Sequence, residues 1–194
     1  MSQALKERTV EDYYYFVEYQ TQWSDNDQYG HLNNSVYNHL IDTVVNKYLI
    51  DHAGLDVKGE TRSGNTSIGL VVESHAAFFR SLSFPSRILL ALRVELIGRS
   101  SVRYEVGVFG PIREEGSFST PPLPSTSTPN PSSSWSIRLT TPEPAMVGGF
   151  THVFVDEKSR RPVKELPSSL HSGLAAIHDE KESSRRENLA PAKL

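Results

Sequence analysis

One long stretch of this chain has helical periodicity, and most of the other patterned stretches alternate as strands do. Val36, Tyr37, Leu40, Ile41, Val44, Val45, Tyr48 and Leu49 recur at three- and four-residue steps. That spacing predicts an amphipathic helix ending near His52, apolar over a broad face. Asn33 or Asn34 is placed to cap it, because a side-chain amide oxygen can accept a first-turn N–H. Before the helix, Tyr13–Trp23 alternates: Val17, Tyr19, Thr21 and Trp23 on one side, Glu18, Gln20 and Gln22 on the other. After it come four more strand patterns, Thr66–Arg80, Arg87–Ile97, Ser101–Phe109 and Met146–Asp156. Leu170–Ile177 reads as a short closing helix. The expected class is therefore α+β, with one long central helix against a mostly antiparallel five-stranded sheet.

A chain of 194 residues suits one well-buried domain. We place that domain at 13–177, with an N-terminal extension over 1–12 and a charged C-terminal tail over 178–194. Residues 53–65 (AGLDVKGETRSGN) form a loop. Residues 111–145 hold eight of the twelve prolines and eight serines. Such a run buries too little apolar surface to offset its ordering cost, so a disordered insertion at a hairpin tip is expected.

The formal charge is −3, from 20 Lys and Arg against 23 Asp and Glu. Without a dense basic run, no nucleic-acid partner is expected. The chain has no cysteine, so disulfides, thiolate metal sites and cysteine nucleophiles drop out. No apolar run approaches the roughly 20 residues that cross a bilayer, so no membrane span is expected. MSQALKERTVEDYYYF lacks the apolar core of a secretory signal. The expected compartment is the cytoplasm, with a mitochondrial or other organellar location left open.

The chemistry concentrates in SDNDQYGHLNNSVYNHL, residues 24–40. A helix N-terminus offers unpaired N–H groups and a positive dipole end, which suit a carbonyl oxygen gaining charge. A nearby carboxylate can attack that carbonyl or activate water. Asp27 and His31 lie four residues apart across Gly30, close enough to face one small volume. Gly30 allows a close backbone approach or a left-handed conformation. Capping and turn formation alone also account for Asp, Asn and Gly before a helix, and spacing does not separate the two readings.

Asp27-Gln-Tyr-Gly30-His31-Leu-Asn33-Asn34-x-x-Tyr37 resembles the signature of the hotdog-fold acyl-CoA thioesterases of the 4-hydroxybenzoyl-CoA thioesterase type. The resemblance continues through VVESHAAFFRSLSFPSRILLALRVELIGRSSVRYEVGVF and GGFTHVFVDEKSRRPVKELP, covering most of 13–177 outside the Pro/Ser insertion. It implies an acyl-CoA thioester hydrolase. By match to the family, Asp27 is nucleophile or general base, His31 lines the site, and the Asn34 backbone N–H is the oxyanion donor. Arg99, Ser100 and Ser101 match a turn that contacts coenzyme A, and Tyr29 and Gly30 fall beside the substrate. Relatives place the site between two subunits, implying a homodimer or higher homo-oligomer. The chemistry implies no metal and no cofactor beyond coenzyme A as part of the substrate.

Other roles stay structural: Asp25 as a turn residue, Asn33 as a cap, Tyr37 and Tyr48 as core or dimer packing. His75 and His152 fall in strands, where packed or hydrogen-bonded histidines are the common case. Arg99 also fits a solvated strand end. Two competing functions remain: a non-catalytic acyl-CoA-binding protein, or a hydratase or dehydratase of the same fold. The latter enzymes typically carry D-x-N-P-x-H, whose spacing and proline this chain lacks.

Overall fold

The computed structural model describes residues 2–55, 67–112, 139 and 142–178. A short helix α1 (Ser2–Lys6) and a 3-10 turn (Val10–Asp12) lead into β1 (Tyr15–Gln20). The long helix α2 (Asn34–His52) follows, then β2 (Ser67–Phe78), β3 (Arg87–Ile97), β4 (Ser101–Phe109), β5 (Met146–Asp156) and α3 (Ser168–Ala175). The five strands form one sheet in the order β1-β3-β4-β5-β2, with every pair antiparallel. The expected α+β layout is what the chain adopts.

Helix α2 forms because its apolar residues fall on one stripe. Tyr37, Leu40, Ile41, Val44, Val45, Tyr48 and Leu49 are all buried. They meet one face of the sheet, where Ile88, Leu90, Leu92 and Val94 of β3 and Val102, Tyr104, Val106 and Val108 of β4 join the same core. The alternate residues point to the other face. There Leu89, Ala91 and Phe109 pack with Tyr13, and Val10, Ile112 and Leu139 close over them. Both faces of β3 and β4 are therefore covered, which explains the nearly continuous apolar run RILLALRVELI.

The outer face also holds charge. Arg93, Glu95 and Glu105 are buried. Glu105 Oε1 lies 2.9 Å from Arg93 Nε and accepts from Arg8 Nε at 3.1 Å and Tyr13 Oη at 3.2 Å. Residues 8–13 are thereby fastened across the back of the sheet. Burial alone pushes the Glu105 carboxyl up, but Arg93 and Arg8 overcome it and hold the pKa below its ordinary value.

Three elements differ from expectation in their bounds, β1 first of all, which starts at Tyr15 rather than Tyr13. Strand β1 stops at Gln20, and Trp23 leaves the alternation, 82% exposed in a 3-10 turn over Trp23–Asp25. The cause is Thr21, whose N–H and Oγ both donate to Ser86 O, and Asp25, whose Oδ2 accepts from Gln22 N–H at 2.8 Å. Strand β2 ends at Phe78 rather than Arg80, because Phe79 and Arg80 both turn their N–H groups to Ala145 O. Helix α3 begins and ends two residues early, at Ser168 and Ala175. Residues 56–65 of the loop, Thr66 of the expected strand, residues 113–138 and 140–141 of the Pro/Ser segment, and 179–194 lie outside the described residues.

Candidate functional site

The polar stretch between β1 and α2 folds back on itself. Asn26 and Leu32 bridge as antiparallel neighbours, Asp27 N–H donates to His31 O at 2.8 Å, and Gly30 N–H donates to Asp27 O at 3.1 Å. Gly30 carries the turn with φ +78°, a conformation L side chains rarely take. The neighbouring β2–β3 connection anchors the loop. Leu32 N–H donates to Leu82 O at 2.8 Å, and Phe84 N–H donates to Asn26 Oδ1 at 3.0 Å. Phe84 also meets the Trp23 ring edge-on at 6.0 Å.

Asp27 is held by the turn it spans. Its Oδ1 accepts from the N–H groups of Tyr29 at 2.8 Å and His31 at 3.2 Å. The carboxylate is half-buried, while the His31 side chain is exposed and Tyr29 is 87% exposed. Asp25 is buried and structural. Its Oδ2 accepts from Tyr19 Oη at 2.9 Å as well as from Gln22, and its carbonyl accepts Asn33 N–H. Burial and that bond to Asp25 push the Tyr19 phenol up to about 12, so it stays a neutral donor.

Asn33 is the N-cap of α2. Its Oδ1 accepts from Ser35 N–H at 2.9 Å, and its carbonyl accepts Val36 N–H at 2.9 Å. Two of the first-turn donors are thus occupied by one residue. The donor before them, Asn34 N–H, has no acceptor among the described residues. Tyr37, one turn on, meets Phe78 edge-to-face at 5.2 Å, which sets the start of α2 beside the end of β2. Burial raises the Tyr37 phenol to about 12.

Asp27, Tyr29, Gly30, His31 and Asn34 thus share one loop and helix start. Arg99, Ser100 and Ser101 do not join them within the chain. Gln20 pairs with Arg87 at one end of β3, and the Gly98–Ser101 turn follows Ile97 at the other. The 11 residues of β3 put roughly 35 Å of strand between them. The turn itself is rigid, with Gly98 N–H on Ser101 O at 2.8 Å and Phe154 N–H on Ser100 O at 2.7 Å.

A cleft of about 580 Å³ lies beside Arg99, lined by Ile97, Gly98, Glu165, Leu166, Ser168, His171 and Ser172. Sequence reading did not find it. The available signal is the spacing of Ser168, His171 and Ser172, which puts three polar groups on one face of a helix. Tyr48 is buried and donates to Gly173 O at 2.6 Å. His152 is buried, as expected of a strand histidine, whereas His75 is exposed on β2. Among the described residues no group of three His, Cys, Asp or Glu could hold a metal ion. None of the described helices is long and apolar enough to cross a membrane.

One long helix cradled by a five-stranded antiparallel sheet, entered through a polar turn, defines the hotdog fold. The chain belongs to the Thioesterase-like superfamily, which it matches over residues 21–174. It is similar to the PA5185 protein of Pseudomonas aeruginosa strain PAO1, at 36% identity and a TM-score of 0.68, over 89% of this chain and 96% of that one. The SAV2348 protein of Staphylococcus aureus, solved in complex with CoA, shares the fold at 14% identity. Its TM-score is 0.63, over 84% of this chain and 83% of that one. A thioesterase from Thermus thermophilus, complexed with coenzyme A and Zn, does so at 18% identity. There the TM-score is 0.57, over 86% of this chain and 96% of that one. No curated protein matches the chain.

Proposed function

We propose that this protein is an acyl-CoA thioesterase that hydrolyses a thioester to free acid and coenzyme A. The observation that carries this is the Asn34 N–H, left without an acceptor at the head of α2 while Asn33 occupies the donors after it. A thioester oxygen bound there meets that donor and the positive end of a 19-residue helix. Asp27 stands in the adjoining turn with Oδ1 fixed by two N–H groups, which orients the carboxylate before substrate arrives.

Two routes use this arrangement. As general base, Asp27 takes a proton from water as its oxygen adds to the carbonyl; the C–S bond then breaks and the thiolate leaves with a proton. As nucleophile, the carboxylate oxygen adds instead, the C–S bond breaks to release the thiolate, and water cleaves the resulting acyl anhydride to free acid and carboxylate. His31 and Tyr29 line the approach. No cofactor enters either route, coenzyme A being part of the substrate.

The working unit in this proposal is a homodimer. Strand β2 is a 12-residue sheet edge that exposes Leu70, Val71 and Val72, the last by 61%. A long apolar edge is normally covered. Pairing two β2 strands antiparallel about a two-fold axis sets the Ser67 end of each beside the Phe78 end of the other. Asp27 belongs to the Phe78 end and Arg99 to the Ser67 end, so the axis brings one protomer's carboxylate toward its partner's turn.

The test is free-thiol release from short, long and aryl acyl-CoAs by wild type and Asp27→Asn. The expected result is turnover by wild type and a loss of at least about 10²-fold in the variant, with folding unchanged. Absence of turnover from folded, dimeric wild type would defeat the enzyme reading and favour a sensor. Single turnover in ¹⁸O-water tests the nucleophilic route, since label found in the Asp27 carboxylate requires the anhydride and water attack at its Asp27 carbonyl.

A further inference from the structure

We propose that Arg80 is a positioning residue of the site: its guanidinium fastens the β2–β3 connection, and through it the Asp27 turn, to the stem of the β4–β5 hairpin. Its effect on turnover rests on the thioesterase reading, whereas the fastening stands on the bonds alone. Residues 79–86 run alongside the polar loop and bond away from themselves at every second position. Ser86 N–H donates to Thr21 Oγ1 at 2.8 Å, Phe84 N–H donates to Asn26 Oδ1 at 3.0 Å, and Leu82 O accepts Leu32 N–H at 2.8 Å. Asp27 lies between Asn26 and Leu32, so its turn follows this connection.

Arg80 is the remaining position of the series, and it bonds in the other direction. Its Nη1 donates to Gly110 O at 2.8 Å and its Nη2 to Glu143 O at 3.2 Å. The Phe79 and Arg80 N–H groups both donate to Ala145 O, and Ala145 N–H donates to Val108 O at 2.7 Å. Gly110 directly follows β4, and Glu143 and Ala145 lead into β5. Both are interior strands of the sheet. Arg80 therefore ties the connection that carries the polar loop to the most constrained part of the fold. A guanidinium presents its donors in a fixed planar fork and sets two carbonyls at once, which a flexible ammonium does not.

Packing alone does not account for an arginine here. Arg80 is half-buried and forms no ion pair among the described residues, and its Nε is buried with no hydrogen-bond partner among them. A cation so placed costs more than an apolar side chain of similar length. Its charge is felt at the head of α2: burial raises the Tyr37 phenol, and Arg80 opposes it. Positive charge there also favours an oxygen gaining negative charge at the Asn34 N–H.

The test compares full-length wild type with Arg80→Gln by NMR amide exchange and by steady-state hydrolysis of an acyl-CoA. In the variant the Leu32 and Phe84 amides should exchange about tenfold faster, while Val44 and Val45 within α2 keep their protection. The kcat should fall about tenfold with KM within about twofold, because the Arg99 turn at the far end of β3 is untouched. Arg80→Lys keeps the charge and loses the fork, so it should fall between the two; it carries the same comparison if Arg80→Gln does not fold. Unchanged exchange in the loop, or exchange that rises equally throughout α2 and the sheet, overturns the fastening. Faster loop exchange with kcat unchanged overturns the positioning role. Faster exchange confined to the loop, in a protein whose wild type cleaves no thioester, upholds the fastening and defeats the enzyme reading alone.

Discussion

Replacing His152 with phenylalanine should flatten the dependence of stability on pH. His152 is 3% exposed on β5, with ring centroids of Phe150 at 4.6 Å, Tyr104 at 5.5 Å and Phe154 at 5.7 Å. Its Nδ1 has no hydrogen-bond partner among the described residues and sits against Gly69, where a Cβ would come within 2.8 Å. Burial lowers its pKa from 6.5 to about 4. The imidazole therefore stays neutral when folded and takes a proton when unfolded. Between those values the unfolded state binds more protons, so stability is full above pH 6.5 and falls as pH drops toward 4. At about 1.4 kcal/mol per unit, wild type should lose about 2.5 kcal/mol through this group between about pH 7.5 and 4.5. For a chain of this size that is roughly 5–10 °C in Tm. Urea denaturation of both proteins at the two pH values isolates the term, because carboxylates that titrate in both cancel. At the higher pH the variant should match or exceed wild type, since Phe removes a desolvated, unpartnered nitrogen. Parallel losses in the two proteins would refute the reasoning.

Three further outcomes follow from the geometry. Glu105→Ala should cost about 3–5 kcal/mol in urea unfolding, because it removes the nearest carboxylate partner of the buried Arg93, at 2.9 Å against 3.9 Å for Glu95. The pKa of Glu105 is lowered, so its contribution is full above the ordinary carboxylate range and disappears as acid protonates it; the variant's acid-side stability should fall less steeply. Gly30→Ala should cost about 1–2 kcal/mol by forcing a Cβ into φ +78°, and should lower thioester turnover by displacing Asp27. Val72→Lys on the exposed β2 edge should yield monomer in sedimentation and abolish turnover, while circular dichroism remains that of the folded chain.

Regular periodicity made most of the fold readable. Residues of α2 and of β3, β4 and β5 follow one pattern from end to end, and their bounds come out as the pattern places them. The failures sit where side chains bond the backbone: Thr21 and Asp25 end β1 early, against an alternation that runs on to Trp23. His75 is a different failure. Strand propensity says nothing about whether a strand is at an edge, and β2 is an edge. The acidic turn of the candidate site was legible because Asp27, Gly30, His31 and Asn34 are close in sequence. The separation of Arg99 from it was not, since that depends on the direction of β3 relative to β1. The α3 cleft was hidden for the same reason, its walls coming from residues 97–99 and 165–172, far apart in the sequence.

That separation along β3 has a consequence for mixed populations. If two chains pair through β2, each contributes its carboxylate to one site and its Arg99 turn to the other. A dimer of one Asp27→Asn chain with one Arg99→Ala chain then holds one intact site and one that carries both lesions. Co-expressing two crippled alleles should restore activity that neither has alone, whereas two lesions on the same chain leave each site with a single defect and restore none.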